Sequence, residues 1–89
     1  MTPQTQQHTT WLAAHDADVT AEELWLHYYS IGGNLTAFEL DAYLHGAYRL
    51  PVAERNAIAW ALNELIDDLP QSFGLHRFRA EMANDPRRL

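Results

Sequence analysis

Thr20-Ala21-Glu22-Glu23-Leu24-Trp25-Leu26-His27-Tyr28-Tyr29-Ser30-Ile31-Gly32-Gly33-Asn34-Leu35-Thr36-Ala37-Phe38-Glu39 is the stretch whose reading decides the fold. It carries one helix-start signal twice, Thr-x-x-Glu, with a stop between the copies. In this signal the threonine hydroxyl accepts from the amide three residues on, and the glutamate reaches back to the threonine amide. The first copy opens a helix over 21–30, with Val19 stapling onto Leu24. Leu24, Trp25, Tyr28 and Ile31 fall on one stripe. Glu22 and Glu23 sit at the positive end of the helix dipole and His27 near the negative end. Gly32-Gly33 ends the helix, because glycine takes a left-handed cap without a Cβ clash.

Outward from this stretch the chain stays helical. The second box opens a helix over 37–49, with Leu40, Tyr43, Leu44, Ala47 and Leu50 on one face. Gly46 falls inside it, where close packing against a neighbour is the usual reason. Pro51 occupies the first position of a third helix over 52–69, where proline is best tolerated. Ile58, Leu62, Leu65, Ile66 and Leu69 repeat there at three and four residues, and Pro70 stops it. A C-terminal helix spans 73–84, with Leu75, Phe78 and Met82 in helical spacing. Trp11, Leu12, Ala14 and His15 leave room for a short N-terminal helix. No stretch alternates with period two. The expectation is an all-α fold: a compact bundle of three main helices with the C-terminal helix lying across them. It forms one domain over 11–85, flanked by a disordered tail at 1–10 and a second tail at 86–89.

Composition limits the chemistry. The chain has 89 residues, no cysteine and no lysine, and all six basic residues are arginines. One domain of this size buries about 64% of its unfolded surface, enough for a modest core without staples. Without cysteine there is no thiol catalysis, zinc ribbon or iron–sulfur site; without lysine there is no Schiff base. Within the body of the chain the longest stretch free of Asp, Glu and Arg, 24–38, holds His27, Gly32, Gly33 and Asn34, and falls short of the roughly 20 apolar residues of a membrane span. The polar start lacks the basic and apolar regions of a signal peptide. These features fit a cytoplasmic protein.

The net charge of −6 is uneven. Residues 1–69 hold ten acids and two arginines, a balance of −8, whereas residues 70–89 hold two acids and four arginines, +2. An acidic body disfavours nucleic acid, which needs cations facing phosphates. The helix–turn–helix outline around Gly32-Gly33 fails on the same ground: the would-be recognition helix starts with Glu39 and Asp41 and carries no base there.

Candidate sites are few. The five histidines, His8, His15, His27, His45 and His76, include no i, i+4 pair of the kind a metal site favours. His15-Asp16-Ala17-Asp18 reads as a solvated loop, and His27 and His45 fall on outer sides of adjacent helices. Glu64, Asp67 and Asp68 cluster at the end of the third helix, where a solvated face is the plain reading. Asp67 and Asp68 nevertheless oppose the helix dipole. Either Arg77 or Arg79 folds back onto them, or they form an acidic docking patch. Ser30 and Ser72 lie in no nucleophile motif. No cofactor is expected.

Two aromatics stand off their stripes. Trp60 points about 160° away from Leu62 at the helical angle of about 100° per residue. Phe38 lies opposite Leu40. Large apolar groups on polar faces need cover. For Trp60 the choices are the Trp11-Leu12 segment, the C-terminal helix, a second subunit or another protein. Phe38, Trp60, Asp67 and Asp68 are therefore the candidate partner-binding residues.

The segments Glu-Leu-Trp-Leu-x-Tyr-Tyr (23–29), Ile-Gly-Gly (31–33), Glu-Leu-Asp-Ala-Tyr-Leu-His-Gly (39–46), Leu-Pro (50–51) and Ala-Leu-Asn-Glu (61–64) together resemble short helical proteins of high-GC actinobacteria. The resemblance covers about half the chain and carries no assigned activity, so it transfers no functional residue. Thirteen alanines and the arginine-only base usage agree with a GC-rich source. The expected function is a non-catalytic interaction module, a regulator or adaptor with a protein partner, and a homodimer is its simplest form. The alternative is a small ligand- or metal-binding helical protein, or an enzyme, using histidines and carboxylates; a DNA-binding regulator comes third.

Overall fold

The computed structural model describes residues 2–69 together with Ala80 and Met82. Within them lie four helices: α1 (Pro3–Asp16), α2 (Ala21–Ser30), α3 (Ala37–Leu44) and α4 (Val52–Asp67). No strand occurs among the described residues. The all-α expectation holds: the described residues form a small helical bundle. The C-terminal helix expected over 73–84 lies outside the described residues.

The fourth helix is α1, covering most of the segment expected as a disordered tail. Its buried residues are Gln6, Thr10, Ala13 and Ala14. Two of the four are polar, so the helix shows no apolar period. A start signal is present all the same. Thr2 accepts from the Thr5 amide at 3.1 Å, and Pro3 takes the first turn, where its missing N–H costs nothing. α1 packs on α3 and α4, while α2 packs on the same two, so the four helices close a ring.

α1 ends on a tight turn. The Val19 amide donates to the Ala14 carbonyl at 2.9 Å, which requires Asp18 to take a φ of 59°. Aspartate tolerates this region better than most residues, at some cost. Asp18→Gly is expected to raise stability by about 0.5–1 kcal/mol, read as an increased urea midpoint with unchanged slope.

Both boxes form as anticipated. Glu23 N donates to Thr20 Oγ1 at 3.1 Å and Thr20 N to Glu23 Oε1 at 2.9 Å. Glu39 and Thr36 repeat the same two distances. The cap amides, and then the threonine hydroxyls, hold both carboxyls below the ordinary glutamate value of 4.5. A depressed folded value means stability present above about pH 4.5 and lost as pH falls through the folded values. Thermal midpoints should therefore drop as pH falls below 4.5, and the Glu23→Gln/Glu39→Gln double variant should show a shallower drop.

α3 stops five residues early. Gly46 adopts φ 77°, and the Ala47 amide returns to the Ala42 carbonyl at 2.9 Å. Gly46 therefore ends the helix rather than packing inside it. Pro51 excludes helical geometry at the residue before it, so the chain runs irregular to α4. Pro51 caps α4 with φ −61° and ψ 157°, one position earlier than expected, and supplies no side-chain bond. Ile58, Ala59, Ala61, Leu62 and Ile66 bury one side of α4. Ile31, placed on the α2 stripe by spacing, is the C-cap residue and stays 45% exposed.

Candidate functional site

Two polar bolts hold the ring and fix what the surface can present. In the first, Gln6 is fully buried between α1 and α4. Its Nε2 donates to Asn56 Oδ1 at 2.8 Å and its Oε1 accepts from Arg55 Nε at 2.9 Å. Arg55 Nη1 also donates to the Leu50 carbonyl at 2.6 Å, tying down the irregular connection. The second bolt is Tyr28, whose hydroxyl donates to Glu54 Oε2 and accepts the Asn34 and Leu35 amides, each at 3.1 Å. Burial, and then the Glu54 bond, push the Tyr28 hydroxyl above its ordinary value of 10.0.

With α1 and α2 on its flanks, α4 turns a third side outward. Trp60, Asn63, Glu64 and Asp67 lie at spacings of three and one along it and, with Met82, line a groove of about 290 Å³. Trp60 remains 57% exposed. The Trp11-Leu12 segment does not line this groove. Trp11 instead stacks on two histidines of its own helix, His8 at 6.2 Å and His15 at 5.2 Å between ring centroids. Met82 supplies the only cover in the groove among the described residues.

Asn63 was missed in the sequence, because it reads as an ordinary polar residue on a helix. Its Nδ2 donates to the Ala80 carbonyl at 2.9 Å and its Oδ1 accepts the Ala80 amide at 2.8 Å. A side-chain amide thus grips both polar groups of one backbone residue, and Ala80 is 4% exposed. This two-point clamp engages the backbone of Ala80 and not its side chain.

His27 also departs from the outward placement expected of it. Its Nε2 lies 3.0 Å from Glu64 Oε1, joining α2 to α4 at the groove edge. Both side chains keep solvent contact, at 27% and 42% exposure, so the pair is a partly screened tie between helices. His45 stays outward, its Nδ1 2.9 Å from the Asp41 carbonyl.

Of the four candidate partner-binding residues, Trp60 and Asp67 come together in the groove. Asp68 is the C-cap of α4 and exposed. Phe38, 81% exposed, sits on the first turn of α3, which does not pack on α4, so it belongs to a different face. Arg77 and Arg79, the expected local partners of Asp67 and Asp68, lie outside the described residues. Among the described residues, no three histidine, aspartate or glutamate side chains converge as metal ligands, and no helix is long and apolar enough to cross a membrane. Comparison with family models, with curated proteins and with solved structures finds no match to this chain.

Proposed function

We propose that the protein is a non-catalytic helical interaction module, a small cytoplasmic regulator or adaptor, which receives a protein partner on the Trp60 face of α4. The observation supporting this reading is Trp60 itself. A tryptophan 57% exposed stands one turn from an asparagine that already clamps a backbone. Tryptophan is enriched among residues that dominate binding energy when a partner desolvates them. Asp67 and Asp68 at the same helix end favour a partner bearing cations, and the acidic body argues against nucleic acid. A second copy of the chain is the simplest occupant. The arginine-only, alanine-rich composition supports a GC-rich actinobacterial source and adds no activity.

The test is light scattering across a concentration series, together with co-purification of a tagged chain from native lysate, for the parent and for Trp60→Ser. The reading expects a dimer or a defined stoichiometric partner for the parent. It expects affinity to fall by about 30-fold or more in the variant, the usual effect of truncating a central tryptophan. A monomeric mass and identical co-purification profiles for both chains would overturn it.

A further inference from the structure

The end of the ring opposite in chemistry to the acidic groove holds both arginines of the body. Residues 1–69 carry ten acids, yet neither Arg49 nor Arg55 pairs with one. The ion pairs among the described residues are those of His27 and His45. Both arginines instead line one pocket of about 120 Å³, between the start of α1 and the connection from α3 to α4. By the same measure a water needs about 10–15 Å³, so the space exceeds what one or two waters fill.

Three further features give this pocket its sign. Arg55 is held in place by its bonds to Gln6 and the Leu50 carbonyl, which use two of its five donors. The first turn of α1, Pro3 and Gln4, forms part of the wall. It has no acid, whereas α2, α3 and α4 each place a glutamate in theirs. Thr2 caps the Thr5 amide, but no carboxylate offsets the positive end of the α1 dipole. Finally, Tyr43 lines the pocket and is 2% exposed. Its hydroxyl is the one buried side-chain polar atom without a hydrogen-bond partner among the described residues. Two guanidinium groups, a helix start without an acid and an unsatisfied hydroxyl donor call for the same complement, an acceptor bearing negative charge.

We propose that this pocket binds a small oxyanion, a carboxylate or phosphate group, between Arg49 and Arg55. Guanidinium forks match the paired oxygens of such groups. A net-negative protein repels anions at long range, so retention of one here requires a site of local positive charge. The site is independent of the Trp60 face.

The experiment is an amide and arginine side-chain NMR titration of the full chain with sodium phosphate and, separately, sodium acetate. Sodium chloride holds ionic strength constant, since screening alone shifts surface signals. Saturable shifts centred on Gln4, Gly46, Arg49 and Arg55 are expected with at least one anion. Comparison of the two probes identifies the preferred oxyanion. Arg49→Gln should weaken binding by about tenfold or more, the effect of losing one charge-assisted bond. Arg49 makes no side-chain hydrogen bond or ion pair among the described residues, so this variant should keep the fold. Trp60→Ser should leave the anion affinity unchanged. Non-saturable shifts with both anions, or undiminished binding by Arg49→Gln, would overturn the proposal.

Discussion

Gly33→Ala is expected to destabilise the protein by about 3 kcal/mol, near the upper end for overpacking a core. A Cβ at this position would sit 2.2–2.4 Å from three atoms of the Tyr28 ring. The ring has nowhere to go. It is fully buried, and its hydroxyl is pinned by Glu54, Asn34 and Leu35. The backbone at Gly33 must therefore move, and with it the turn that aims α3. Gly32→Ala is the control. A Cβ there meets open space, and only the positive φ of 101° opposes it, at about 1 kcal/mol. For a domain of this size each kcal/mol shifts the thermal midpoint by about 4–8 °C. The two variants should thus separate by 8 °C or more in the same melt. Equal losses would show that backbone conformation, not the tyrosine ring, selects the second glycine.

Tyr28→Phe is the second large effect, expected at about 2–4 kcal/mol. The change removes one hydroxyl and leaves two amides without an acceptor, each costing about 1–3 kcal/mol if it stays away from water. Partial access of water to the Asn34 side of the turn keeps the sum toward the middle of the range. The variant should lose stability in urea with little change of slope. Its alkaline behaviour gives an independent check. A hydroxyl raised above 10.0 in the folded state contributes stability that is complete below pH 10 and lost as pH rises through the folded value. Tyr43 is raised too, by burial, and adds to the same loss. Tyr28→Phe should therefore lessen the fall in stability above pH 10 without abolishing it.

Both predictions concern residues whose types are visible in the sequence and whose reasons are not. Tyr28 reads as one apolar position on the α2 stripe, and Gly32-Gly33 reads as a double stop. The spacing cannot say that one glycine serves a dihedral angle and the other makes room for a ring. Gln6 shows the same limit more sharply. Glutamine in a run of polar residues reads as a solvated tail, because periodicity detects burial only when the buried side chains are apolar. Gln6 is buried by virtue of Asn56 and Arg55, some fifty residues away, which satisfy its amide. Asn63 is hidden for the same reason: its partner, Ala80, lies seventeen residues on. Local signs of α1 were confined to its two ends, Thr2-Pro3 and the Trp11–His15 segment.

The sequence by itself determined what depends on neighbours along the chain. The two capping boxes, the stops at glycine and proline, and the three- and four-residue apolar repeat made the chain helical and placed α2 and the body of α4. It also determined that Trp60 would point away from the α4 stripe, since the angle per residue is a local constant. Tertiary structure alone decided that α1 completes the ring, that His27 turns inward to Glu64, and that Phe38 and Trp60 occupy different faces. It alone gathered the two arginines of an acidic body around one pocket. Those outcomes rest on polar groups finding partners across the fold. A hydrogen bond between distant residues leaves no period in the sequence, because the two partners are constrained by a shared point in space and by nothing along the chain between them.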